Sequence, residues 1–182
     1  KTMMILISTL FCVTYLSASH IIMMLQEPSV KMDILISVMY HFQVSSLYNK
    51  ENKLTYTKWV FKDTGKEPPF PYNIDDAKDD TWTKRKCYSI VNNAFSAAEK
   101  QRTCGDELGI CMYIDSNTGK VVEVDFTFLS IDPFASIPIS VYREIEVELK
   151  KKYLVYTTEE GKKMNYLVRM WNQEIGVTIL PD

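Results

Sequence analysis

The stretch Gly109-Ile-Cys-Met-Tyr-Ile-Asp-Ser-Asn-Thr-Gly-Lys-Val-Val-Glu-Val-Asp-Phe-Thr-Phe128 alternates apolar and polar side chains on both sides of a polar turn. In its first half Ile110, Met112 and Ile114 share one face while Cys111, Tyr113 and Asp115 share the other, which predicts a half-buried strand. Asp115-Ser-Asn-Thr-Gly119 then turns the chain: Asp and Asn side chains bond their own backbone, and a glycine closes such a loop with a positive φ. On the way back Val122, Val124, Phe126 and Phe128 fall on one face and Glu123, Asp125 and Thr127 on the other. One side of this hairpin is therefore expected to face a core and the other water.

Working outward, Ile137-Pro138 opens a helix, since proline tolerates a first helical turn, and Tyr142, Ile145 and Leu149 recur at spacings of three and four. Glu144 and Glu146 lie early and Lys150 to Lys152 crowd the last turn, which suits the helix dipole and offers Glu146–Lys150 and Glu148–Lys152 pairs on a solvated face. Tyr153 to Tyr156 reads as a short strand, and Asn165 to Trp171 as another, rich in aromatic and apolar residues. Before the hairpin, Asp80 or Thr81 caps a helix carrying Ile90, Val91, Ala94 and Phe95 on one face. Ser96 and Glu99 form a capping box for a further turn, and Cys104-Gly105 ends it. A second hairpin is expected across residues 40 to 61, followed by a long surface connection through Gly65-Lys-Glu-Pro-Pro-Phe-Pro-Tyr72 and Asp75-Asp-Ala-Lys-Asp-Asp80. Together these elements predict a two-layer α+β domain, with an antiparallel sheet of four to six strands and helices packed on one face.

An apolar leader precedes that domain. Thr2 to Gln26 holds no charged residue, Met3 to Leu16 is a compact apolar run behind Lys1, and Ser17-Ala18-Ser19 supplies small residues for a cut before His20. The expected division is a signal peptide or signal anchor over residues 1–19 and a single domain over 20–182. Export to the periplasm or cell envelope is the favoured location, with anchoring through Ile21-Ile-Met-Met-Leu25 or burial as a core helix as alternatives. Cys12 lies inside the apolar run and does not fit a lipidation site. Export would permit a disulfide, and Cys104 with Cys111, flanking a glycine-containing loop, is the candidate pair; the alternative is a set of small buried apolar thiols.

The 182 residues suffice for one well-buried core, and a net charge of −2 leaves no electrostatic footprint for nucleic acid. No metal or cofactor is expected. There are two histidines, His20 and His41, and no Cys-x-x-Cys pair; Asp115-x-Asn117-x-Gly119 places its glycine one position early for a calcium loop and has Phe126 where an acid is required. No nucleophile elbow or phosphate-cradling loop occurs, and the acidic pairs Asp75/Asp76, Asp79/Asp80 and Glu159/Glu160 fall in expected solvated loops, where nothing raises a carboxyl toward neutrality.

The order helix, Gly-led strand, Asp-x-x-x-Gly turn, strand, helix, strand resembles the C-terminal domain of TonB-type energy transducers over about residues 94–175. The resemblance is carried by Gly109 to Asp115, Gly119-Lys-Val-Val-Glu-Val124, Tyr142 to Tyr153 and Asn165 to Trp171. The chain departs from that family in lacking its long Pro-rich spacer, with seven prolines in all, and in having Tyr153-Leu-Val-Tyr156 where a Tyr-x-Pro often follows the helix. Asn93-Ala-Phe-Ser96, Gly119-Lys-Val-Val-Glu-Val-Asp-Phe126 and Lys163-Met-Asn-Tyr166 also resemble small, uncharacterised exported proteins of gut Bacteroidales, which implies no particular activity.

These readings favour a noncatalytic exported or envelope-associated protein that binds another macromolecule, a protein or envelope partner, through a sheet edge. The TonB-like resemblance implies that Asn165, Tyr166, Leu167, Val168, Arg169, Met170 and Trp171 form that edge. The alternatives are a hydrolase or glycan-processing enzyme with dispersed catalytic residues, and a carrier of small apolar ligands.

Overall fold

The computed structural model describes residues 21–23, 32–39, 42–69, 76–78, 81–129 and 133–176. The expected leader, both histidines, and Asp75, Asp79 and Asp80 lie outside the described residues. The strands are β1 (Ile21–Met23), β2 (Met32–Met39), β3 (Phe42–Asn49), β4 (Glu107–Ile114), β5 (Val121–Leu129) and β6 (Leu167–Glu174). The helices are α1 (Thr81–Ala94), α2 (Ala97–Arg102) and α3 (Ile139–Lys152). All strand pairs are antiparallel, and the sheet runs β1-β2-β3-β5-β4-β6. The expected two-layer α+β architecture is thus the one observed.

The core lies between the sheet and the helices. Leu47, Ile110, Met112, Ile114, Val124, Phe126 and Leu167 meet Val91 and Phe95 of the α1–α2 region and Tyr142, Ile145 and Leu149 of α3. Tyr142 packs against Phe126 and Phe128, with ring centroids 5.2 and 6.1 Å apart, and donates its hydroxyl to the Phe134 carbonyl at 2.7 Å. Each such side chain contributes about 1.5–3 kcal/mol through burial, so the helical stripe is what holds α3 on the sheet. Pro138 stands at the N-cap of α3, and Ser96 with Glu99 makes the expected capping box of α2.

The structure corrects the sequence reading in four places. Val122 is exposed and Val121 is buried, because a register shift pairs Ile114 with Val121 after pairing Tyr113 with Glu123. Such a bulge inserts one extra residue and reverses the alternation beyond it. Glu146 is fully buried, gripped by Arg143 and Lys150 at 2.5 Å each, so the charged side of α3 is not wholly solvated. The early hairpin spans Met32–Asn49, with Met39 opposite Phe42, in place of residues 40 to 61. The polar run Asn49 to Lys53, read as its loop, ends β3 and is pinned to β5 by side-chain bonds. Finally, Tyr153 to Tyr156 makes an isolated bridge, Lys120 with Leu154, instead of a strand.

Candidate binding edge

β6 ends the sheet: β4 covers one side of it, and no described strand pairs with the other. The sequence-predicted edge divides into three parts. Asn165 and Tyr166 are engaged internally: Asn165 donates its backbone N–H to the Val60 carbonyl and its side-chain amide to the Lys58 carbonyl, at 3.0 and 2.8 Å. The Tyr166 carbonyl accepts from Trp59 Nε1 at 2.9 Å. Leu167 is buried in the core. Arg169 then folds along the edge, donating from Nη1 to the carbonyl of Val168 at 2.8 Å and from Nη1 and Nη2 to the Asp76 carboxylate at 2.9 and 2.8 Å. This bidentate pair holds the Asp76–Lys78 strap, whose Lys78 N–H donates to the Tyr156 carbonyl, and it raises the Arg169 pKa. The open part begins at Met170, which is 74% exposed, and continues through Trp171 into Asn172.

Asp76 was read as part of a solvated acidic loop, and the sequence did carry a signal against that. Arg169 shares its strand face with Leu167 and Trp171, and a charge at such a position needs a paired carboxylate. Between α1, the Asp76–Lys78 strap and β6 lies a groove of about 390 Å³, lined among others by Cys87, Tyr88, Met112, Tyr153, Val155 and Trp171. The Tyr88 and Trp171 rings form one wall, with centroids 6.1 Å apart, and Trp171 Nε1 donates to Gln173 Oε1 at 3.1 Å.

The opposite face of the sheet carries a second concentration of reactive residue types. Asp125 accepts hydrogen bonds from Tyr113 OH at 2.8 Å, Thr55 Oγ1 at 3.0 Å and Asn52 Nδ2 at 3.1 Å. Glu123 accepts from the backbone N–H groups of Lys53 and Leu54, both at 2.8 Å. The face expected to meet water is therefore covered by the segment after β3, and Asp125 is buried. Burial raises its carboxyl above the ordinary value against the opposing effect of its hydrogen bonds, and burial likewise pushes the Cys111 thiol up to about 12. A thiol so shifted is not a nucleophile near neutrality. Its donors satisfied and its segment pinned, this cluster braces the sheet.

Cys104 and Cys111, the candidate disulfide pair, are both free thiols. Cys104 is exposed in the turn after α2, whereas Cys111 sits in mid-β4 opposite Asp125 and Met170. Among the described residues the buried carboxylates are Asp125 and Glu146, which lie on opposite sides of the sheet and form no acid–base pair. Among the described residues no group of three or more His, Cys, Asp or Glu side chains could hold a metal, and no helix is long and apolar enough to cross a membrane.

Comparison with known proteins places this architecture. No curated protein matches the chain. A crystal structure of a DUF5043 family protein from Bacteroides uniformis ATCC 8492 is similar at 36% identity with a TM-score of 0.74, covering 87% of this chain and 91% of that one. Its source agrees with the resemblance to Bacteroidales proteins. The family described as Domain of unknown function (DUF5043) matches residues 30–171, from the start of the β2–β3 hairpin region into β6, and the chain therefore belongs to the DUF5043 family.

Proposed function

We propose that the protein is a noncatalytic, exported, envelope-associated binding protein that takes up an extended segment of a partner along the outer edge of β6, in the manner of a TonB-like domain. The observation that carries this reading is the interrupted guarding of that edge. Arg169 and the Asp76–Lys78 strap occupy its first part, and no described strand pairs with the outer side of β6 from Met170 onward. Exposed edges are normally blunted by charges, prolines or covering segments, and an open apolar stretch is the feature that strand addition uses. The satisfied state of Asp125 and Glu146 and the suppressed acidity of Cys111 favour binding over catalysis. The uncharged apolar run from Met3 to Leu16, followed by the small residues Ser17-Ala18-Ser19, supports export with removal of the leader.

Met170→Lys places a charge at the start of the open edge, and the 74% exposure of Met170 means that the fold accepts it. Binding to an envelope fraction, measured by co-sedimentation, should weaken about tenfold or more, which is about 1.4 kcal/mol. Equal binding by a folded Met170→Lys variant would remove β6 from the interface.

A further inference from the structure

The groove beside β6 and the open edge share their walls. Met170 and Trp171 belong to both, and Arg169 also lines the groove. A strand added outside β6 would lie about 4.8 Å from it and send alternate side chains toward the helices, beside Trp171. We propose that the groove is the specificity pocket of this edge, receiving one large aromatic side chain of the added strand, with an acidic side chain of the same strand meeting Lys78. This rests on the strand-addition reading of β6.

Three observations fix the chemistry of the occupant. The floor is apolar, formed by Met112 and Cys87, both buried. The wall is aromatic, since Tyr88 and Trp171 present tilted rings and the indole N–H is already bonded to Gln173. An apolar cavity of about 150 Å³ suffices for benzene, so about 390 Å³ admits a phenyl or phenol ring with space for its neighbours. At the mouth Lys78 is exposed, while the charge of Arg169 is matched by Asp76. The groove therefore offers a cation to the partner, and an acidic residue near the aromatic one complements it.

The test uses capped peptides alternating threonine and valine, with phenylalanine or alanine at the centre and glutamate or lysine two residues to either side, titrated calorimetrically into the full chain. The phenylalanine–glutamate peptide should bind about tenfold or more tightly than its alanine counterpart, as the burial of one aromatic ring requires. Replacing glutamate by lysine should weaken it severalfold, and Lys78→Glu should reverse that preference. Met170→Lys should abolish binding of every peptide. If phenylalanine and alanine peptides bind equally and Met170→Lys still abolishes both, the edge stands and the specificity pocket falls. If the phenylalanine peptide binds Met170→Lys as well as it binds the unaltered chain, the ring enters without strand pairing and the edge reading falls with the inference. Absence of binding at millimolar peptide would overturn the pocket.

Discussion

Gly119→Val should lower the stability of the domain by about 3 kcal/mol or more, with a fall in Tm of roughly 10 °C. Gly119 closes the β4–β5 turn at φ 70°, a region that costs an ordinary L-residue about 1–2 kcal/mol and in which a β-branched side chain is an outlier. A Cβ there would stand 1.9 Å from the carbonyl oxygen of Val155, a backbone atom that cannot swing aside. The chain after α3 would have to withdraw, breaking the 2.9 Å bond from Val155 N–H to the Gly119 carbonyl and loosening the bridge between Lys120 and Leu154. Gly65 provides the control. It has φ 65° but nothing within 4 Å of a built Cβ, so Gly65→Val should show only the conformational part of the loss. Urea unfolding of both variants separates the two contributions, and equal losses would show that the Val155 contact is immaterial.

The second large effect is expected at Asp125. Asp125→Ala strands the donors of Thr55 and Tyr113, while Asn52 Nδ2 keeps the Val124 carbonyl at 3.2 Å, and at about 1 kcal/mol or more for each stranded donor it should cost about 2–3 kcal/mol. Asp125→Asn keeps the shape and an acceptor, and its effect should appear chiefly in the pH dependence. Burial raises the Asp125 carboxyl above 3.8, so the folded chain holds this proton to higher pH than the unfolded chain does. The resulting stability is fully present below 3.8 and is lost as pH rises through the elevated folded value. Asp115 and Glu99 run the other way: their carboxyls are lowered, chiefly by hydrogen bonds to Thr118 and Ser96 respectively, and their contributions are lost as pH falls. Subtracting the Asp125→Asn profile from that of the unaltered chain isolates the Asp125 contribution. The difference should decline with rising pH, and a difference that is flat or rises with pH would refute the assignment.

The parts of this fold that were legible in the sequence are those governed by local periodicity. β4, the Asp115–Gly119 turn, the α3 stripe and the Ser96–Glu99 box each follow from residues within a few positions of one another. The bulge that buries Val121 was not legible, because it arises from pairing across β4 and β5 and leaves no trace in either strand alone. Similarly, Asn49 to Lys53 has turn composition, and only its bonds to Glu123 and Asp125, some seventy residues away, make it a cover for the sheet. The candidate edge was legible as a strand but not in its extent. Alternation could mark Met170 and Trp171, whereas the engagement of Asn165 and Tyr166 by Lys58 to Val60, and of Arg169 by Asp76, depends on long-range contacts. Asn172 lay beyond the predicted segment because the pattern turns polar there, although β6 continues to Glu174.

Strand addition is most directly tested at the backbone, by hydrogen exchange of the full chain with and without a bound envelope fraction. The amides between Met170 and Asn172 that point away from β4 should become protected by new main-chain hydrogen bonds, while those around the exposed Val147 of α3 should exchange at the same rate in both states. Bound protein whose β6 amides exchange as fast as in the free chain would contradict a partner strand on this edge.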